Sequence, residues 1–313
     1  MTRKINLLSV SGGKDSTALI LNAIERGIEF QCVFADTGNE HEDVYEYLDY
    51  LESNLPINIQ RVKPDFAAKI ERKRKYVLEH WEADGISDDK IKIAVETLQP
   101  TGSPFLDLCI WKGRFPSPKA RFCTDELKTI PITEQVVKPI LQAGKRLRSW
   151  QGIRAAESPR RAKMKMHEKI DLGVWVYRPL LNWSAAEVFE IHRKHGIKPN
   201  PLYLKGMNRV GCMPCIMCRK GELSEIGRRF PEVLERLRKW EQMVSDAGKG
   251  DSVFFDVRPF AEDRYNVSYK THGIDAAWKW SRTERGGRQF NLFTENEEIP
   301  SCSSNYGLCE IDD

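Results

Sequence analysis

The stretch Val10-Ser11-Gly12-Gly13-Lys14-Asp15-Ser16-Thr17-Ala18-Leu19-Ile20 follows the apolar run Ile5-Asn6-Leu7-Leu8-Ser9 and leads into apolar positions Ala18, Leu19, Leu21 and Ile24 at helical spacing. A strand, a glycine turn and a helix opening at Asp15 turn free backbone N–H groups and the positive helix end toward an anion. Gly12 and Gly13 let the backbone close around phosphate oxygens, and Lys14 adds charge. The spacing is not that of the kinase and GTPase P-loop, where four residues separate the first glycine from Gly-Lys-Ser/Thr. Here the lysine directly follows Gly-Gly.

Outward from this loop, strand and helix patterns alternate. Phe30 to Ala35 reads as a second strand, His41 to Leu55 as a helix and Ile57 to Val62 as a third strand. That order predicts an α/β fold, a doubly wound parallel sheet with its site at the carboxyl ends of the strands. The loops Ser11–Ser16 and Asp36–Asn39 both fall there. Residues 66–117 fit the alternation poorly: a charged helix from Lys69 to Trp81, a further helix and a Pro/Gly-rich loop read as an insertion or lid. Arg146 to Gly152 is a strand, and Ser184 to His195 a helix with a Ser184/Glu187 capping box. The expected division is a nucleotide-binding domain over 1–205 and a cysteine-rich, mostly helical and loop extension over 206–313 that binds a metal cluster.

The chain has 313 residues and a net charge of +4, which neither demands nor excludes a nucleic-acid partner. Locally, nine cations between Lys145 and Lys169 face only Glu157 and Glu168, either a solvated face or an anion-binding one. A basic, apolar, small-residue leader is missing at Met1, and no run approaches the length of a membrane span, so a cytoplasmic protein without membrane contact is expected. In that compartment thiols stay reduced, and eight cysteines point to metal binding or catalysis rather than disulfides.

Ser11-Gly12-Gly13-Lys14-Asp15-Ser16 resembles the SGGxDS signature of the PP-loop ATP pyrophosphatases. Asp36-Thr37-Gly38 is similar to the DTG of one branch, the phosphoadenosine phosphosulfate (PAPS) reductase family. Further similarities follow in that family's order: Arg121-Phe122-Cys123-Thr124 with Lys128, Gly152-Ile153-Arg154 with Glu157-Ser158 and Arg161, Pro179-Leu180 with Trp183, Asn200-Pro201-Leu202-Tyr203 and Gly211-Cys212-Met213-Pro214-Cys215. The resemblance implies binding of ATP, or PAPS, with magnesium. Ser11 to Ser16, Asp36, Thr37, Gly38, Gly152 and Arg161 would hold the nucleotide, and Lys14, Asp15, Cys123, Lys128 and Arg154 would carry the chemistry.

The residues supply reasons of their own. Asp15 and Asp36 are carboxylates near a polyphosphate and could position magnesium, although Asp15 is also what a helix dipole favours in a first turn. Arg154 and Arg161 offer forked donors to phosphate or sulfate, or pair with Glu157 at the surface. Lys128 would lower the pKa of Cys123, a candidate reactive thiol whose rival reading is a buried inert cysteine.

Cys212, Cys215 and Cys218 form C-x-x-C-x-x-C, and Cys302 and Cys309 lie far downstream. Two pairs suit either tetrahedral zinc or a four-iron cluster, and spacing does not separate them. Resemblance to adenosine phosphosulfate reductases and to the ATP pyrophosphatases of DNA phosphorothioation implies 4Fe-4S on Cys212, Cys215, Cys302 and Cys309, with Cys218 spare. Cys123, standing where that family's cysteine doublet is broken, is the alternative ligand. Trp278, Trp280, Phe290 and Phe293, alternating with Lys279, Arg282, Arg285 and Arg288, either pack a small domain or stack single-stranded nucleic acid.

The family's sulfonucleotide reductases carry a nucleophilic cysteine in a Glu-Cys-Gly-Leu-His motif, and here the chain ends Gly307-Leu308-Cys309-Glu310-Ile311-Asp312-Asp313. The expected function is therefore cleavage of ATP to AMP and pyrophosphate, activating an acceptor for sulfur transfer. It would involve a sulfur donor or thiol reductant, and a nucleic-acid acceptor or partner subunit. The alternatives are sulfite release from PAPS or APS and a non-catalytic nucleotide sensor.

Overall fold

The computed structural model describes residues 4–257, 265, 267–284, 289–290, 304–306 and 308. Its centre is a six-stranded sheet in the order β3-β2-β1-β4-β6-β5. Strands β1 (Lys4–Val10), β2 (Gln31–Ala35), β3 (Ile59–Val62), β4 (Arg146–Trp150) and β6 (Trp175–Tyr177) run parallel. The edge strand β5 (His167–Lys169) joins β6 in an antiparallel hairpin. The α/β expectation holds for all but this edge. Connections leave β1 first toward β2 and β3, then return to its other side at β4, so the carboxyl ends of β1 and β4 flank a topological switch point.

Side-chain alternation explains why both faces are covered. Leu8 and Val10 point into one apolar cluster with α1 (Lys14–Glu25), α2 (Glu42–Asn54) and helix Ala185–Lys194; Ile5 and Leu7 point into another with Val33, Leu147 and Val136. The second cluster is roofed by a continuous helical run, Phe122–Thr124, Asp125–Thr129, Ile130–Ile132, Thr133–Val137 and Lys138–Gln142, that alternates α and π turns. Fully burying a leucine or isoleucine contributes roughly 1.5–3 kcal/mol, so these two layers dominate the stability of the sheet.

Residues 66–117 form three helices, α3 (Ala67–His80), α4 (Asp88–Thr97) and α5 (Pro104–Lys112). Where a Pro/Gly-rich loop was expected, α5 is buried along most of its length, its start capped by Ser103 and its end closed by Gly113 at φ 63°. Phe66, Ile70, Trp81, Phe105 and Leu108 share the main apolar cluster with β1 and α1, so the segment packs into the body of the protein. Helix Pro231–Ala247 lies against it, with Trp240 stacked on Phe105 at 5.7 Å. Helices Lys220–Arg229 and Ile274–Ser281 complete the mostly helical C-terminal part. Among the described residues, no helix is long and apolar enough to cross a membrane.

Candidate nucleotide-binding site

The loop after β1 is built by its own residues first. Gly12 takes φ +69°, and a Cβ there would stand 2.9 Å from Val44 Cγ1, so both backbone and space demand glycine. Ser16 Oγ donates to the Gly13 carbonyl at 2.8 Å and accepts from Ser11 N at 3.2 Å, closing the loop on itself. Helix α1 starts with Gly13 at its N-cap and no side-chain cap, which leaves first-turn donors for an anion.

The second half of the chain then fixes this loop from behind. Tyr203 accepts from Lys14 N at 3.0 Å, the His192 ring nitrogen Nε2 meets the Lys14 carbonyl at 2.9 Å, and Asn200 Nδ2 donates to the Gly12 carbonyl at 3.2 Å. Burial holds His192 below the usual histidine range, and because a carbonyl can only accept, Nε2 carries the proton of this bond. Lys14 is only 4% exposed, and its ammonium lies over the rings of Tyr203 and Tyr306, 5.2 and 4.9 Å from their centres.

Lys14 Nζ also contacts Asp15 Oδ2 at 3.1 Å, while Arg154 Nε donates to Asp15 Oδ1 at 2.5 Å. Two buried cations thus share one carboxylate at the switch point. Gly152 permits it: a Cβ there would fall 2.7 Å from the Asp15 carbonyl oxygen. The expected residues Lys14, Asp15, Gly152 and Arg154 come together in this way. Arg161 does not join them, since it pairs with Glu157, whose carboxylate also accepts from Arg154 N at 2.9 Å.

After β2, Asp36 Oδ1 accepts from the Tyr45 hydroxyl at 2.8 Å and from Gly38 N at 3.0 Å, and its second oxygen has no hydrogen bond among the described residues. Gly38 is pressed against α5, its missing Cβ only 2.5 Å from Pro104 Cδ. Thr37 Oγ1 lies 2.8 Å from Glu40 Oε1 and 3.4 Å from Cys212 Sγ. Met213 N donates to the Asn39 carbonyl at 2.7 Å, and Arg236 Nη2 bridges Asn39 Oδ1 at 3.1 Å and the Met213 carbonyl at 2.5 Å. The first C-x-x-C pair is therefore seated on the loop after β2. Glu40, Tyr45, His192 and Arg236 were not among the expected site residues; nothing in their local sequence marks them, because their partners stand far away in the chain.

Lys128 reaches the same place from the π-turned helix. Charge on Cys212 pushes its ammonium above the ordinary lysine range, with help from Glu40 and against burial. Burial in turn pushes the Cys212 thiol up to about 11, with Glu40 adding and Lys128 opposing. At Cys123, burial and then Cys215 raise the thiol, and Lys128 lowers it by less. The expected activation of Cys123 by Lys128 is thus outweighed in this environment.

The thiols of the cysteine-rich loop point to separate partners: Cys212 to Glu40 and Thr37, Cys218 to the Arg219 carbonyl, while Cys215 Sγ accepts from Met217 N. Among the described residues no three ligand-type side chains converge on a metal position, so these residues alone do not fit a cluster. Cys302 and Cys309 lie outside the described residues, as do Arg285, Arg288 and Phe293. Of the aromatic tail, Trp278 packs against Gly227 with Arg282 over its ring at 4.5 Å, and Trp280 lies under Lys220 at 4.9 Å.

With this geometry in hand, known proteins provide the comparison. The family described as phosphoadenosine phosphosulfate reductase domain matches residues 5–218. The 37.8 kDa protein from the gpa 5′ region of Escherichia phage 186 is 48% identical over 98% of this chain and 97% of its own length. Adenosine 5′-phosphosulfate reductase of Mesorhizobium japonicum is 24% identical over 70% of this chain and 69% of its own. Among solved structures, phosphoadenylyl-sulfate reductase from Candida auris covers 67% of this chain and 82% of its own, with 15% identity and a TM-score of 0.42.

Proposed function

The chain belongs to the phosphoadenosine phosphosulfate reductase domain family, and from that premise we propose that it cleaves ATP to AMP and pyrophosphate to activate an acceptor for sulfur transfer. The observation that carries this reading is the buried Lys14–Asp15–Arg154 group beside the uncapped start of α1. Two cations and a helix N-terminus at the switch point suit a polyphosphate better than a single small anion.

In this reading Gly12 and Gly13 let the backbone approach the phosphates, and Lys14 and Arg154 turn from Asp15 to neutralise the pyrophosphate as it leaves. The acceptor attacks the α-phosphorus, the α–β bridging P–O bond breaks, and its electron pair departs on pyrophosphate. Asp36, whose second carboxylate oxygen has no hydrogen bond among the described residues, fits magnesium, which takes one or two carboxylates and completes its shell with water and phosphate. The metal would supply charge neutralisation at the phosphate oxygens.

Sulfonucleotide reduction is the second reading, favoured by the family match itself. It needs a thiolate nucleophile, for which Cys123 and Cys309 are the candidates: burial pushes the Cys123 thiol up, and Cys309 lies outside the described residues. A 4Fe-4S or zinc centre requires Cys302 and Cys309, or Cys123, to join Cys212 and Cys215, and no step above runs through it. The deciding experiment is anaerobic purification with iron and zinc analysis, then incubation with Mg-ATP or PAPS and parallel assays of pyrophosphate and sulfite. Pyrophosphate from ATP supports the adenylating reading; sulfite from PAPS without pyrophosphate overturns it.

A further inference from the structure

The cationic segment around Lys145 to Lys169 gains a shape from strand register. Lys4 pairs with Arg146, Asn6 with Arg148, Arg148 with Trp175, and Trp175 with Lys169. Because side chains across a ladder share a face, Lys4, Arg146, Arg148, Trp175 and Lys169 stand on the same side of the sheet. On that side Leu8, Trp150 and Tyr177 are buried, with Arg26, just after α1, over the Trp150 and Tyr177 rings, while Lys4, Arg146 and Lys169 are exposed and Arg148 is half-buried.

This face is basic and carries exposed aromatic surface. Trp175 is 50% exposed. Among the described residues, none of Lys4, Arg146, Arg148 or Lys169 has a carboxylate within ion-pair distance, and Glu168, on the opposite face, pairs with Arg178. Arg148 lies 5.7 Å from the Tyr177 ring centre, and its Nε is buried without a hydrogen-bond partner. Burial and the neighbouring Arg148 push Lys4 below the ordinary lysine range, a sign of cations crowded without counter-charge.

We propose that this sheet face binds single-stranded nucleic acid, with the phosphate backbone on Lys4, Arg146, Arg148 and Lys169 and an unpaired base stacked on Trp175. Cations neutralise the backbone, and an exposed indole takes any base by its face. A duplex keeps its base faces inside the stack and offers Trp175 no partner. The surface lies at the amino ends of the strands, the length of β1 or roughly 20 Å from the nucleotide loop at about 3.3 Å per residue. It is an anchoring surface, and the inference stands whichever reaction that loop performs.

The test is anisotropy of a labelled thymidylate 20-mer on the full chain across a salt series. Trp175→Ala is expected to weaken binding roughly 5–100-fold with little change in salt slope, and Trp175→Phe to retain most of it. Arg146→Ala/Lys169→Ala is expected to flatten the slope of log K against log salt by about 1.4, at about 0.7 per lost phosphate contact. Pyrophosphate and sulfite assays on the same preparations report the nucleotide site separately, and circular dichroism melts confirm folding. The proposal is overturned if the wild-type chain does not bind the oligonucleotide, if the variants bind as it does, or if a duplex or anionic phosphatidylserine vesicles compete as well as the single strand.

Discussion

Arg154 donates to Asp15 across 2.5 Å, joining residues 139 positions apart at the mouth of the sheet. Arg154 is 6% exposed; removing Asp15 would strand its guanidinium away from water, whereas removing Arg154 leaves Asp15 with Lys14 alone. Because Lys14 still neutralises Asp15, Arg154→Ala is expected to lower stability by only about 1–3 kcal/mol and to abolish nucleotide turnover. Urea denaturation checks the first and pyrophosphate release the second; a variant as stable as the parent would show that the pair contributes nothing net.

Gly152 tests the same junction without touching a charge. Its added Cβ meets the Asp15 carbonyl oxygen at 2.7 Å, and because that partner is backbone it does not yield cheaply. Gly152→Ala should cost about 1–3 kcal/mol and weaken ATP binding by displacing the first turn of α1. Calorimetric titration with a non-hydrolysable ATP analogue, beside a thermal melt, reads both effects.

Lys14 separates binding from mere folding. Lys14→Met keeps the contacts with the Tyr203 and Tyr306 rings and leaves Asp15 paired with Arg154. The fold should persist while turnover falls roughly 10²–10³-fold, the scale of losing one donor to transition-state charge. Unchanged turnover in this variant would remove the loop from the chemistry.

Glu241 supplies a pH prediction. It is 1% exposed and accepts from Phe254 N and Ile274 N, both at 2.8 Å, yet burial pushes its carboxyl up to about 7. Its pKa is higher folded than unfolded, so between about 4.5 and 7 the native state holds the extra proton and stability falls as pH rises. The loss should amount to a few kcal/mol and be complete above that window. Denaturation at pH 5 and pH 8 should show it in the parent chain, and Glu241→Gln should flatten this contribution; a parent profile matching the variant's would contradict it.

The parallel core and its site loops were legible because alternation, helical spacing and the Gly-Gly-Lys turn are local signals. The Ser184/Glu187 box likewise appears as read, with Ser184 N donating to Glu187 at 2.7 Å. Helix α5 hid within the expected Pro/Gly-rich loop, because Pro104 and Gly113 mark its first turn and its left-handed cap. The run from Phe122 to Gln142 was not among the expected elements; it carries Pro131 and Pro139, which the structure accommodates among α and π turns. Contacts such as Arg236 to Asn39, 197 positions apart, have no local signature at all.

The three groups that hold the loop after β1 from behind, His192, Asn200 and Tyr203, stand 178, 188 and 189 positions from their partners. During synthesis, a nascent chain that already displays the complete Ser11–Ser16 motif therefore lacks its braces until some two-thirds of the polypeptide has emerged. Contacts of such long sequence separation form late, after loop closure. Nucleotide capture then doubles as a readout of completed maturation: a fragment stopped before Asn200 should carry the motif and still fail to retain ATP.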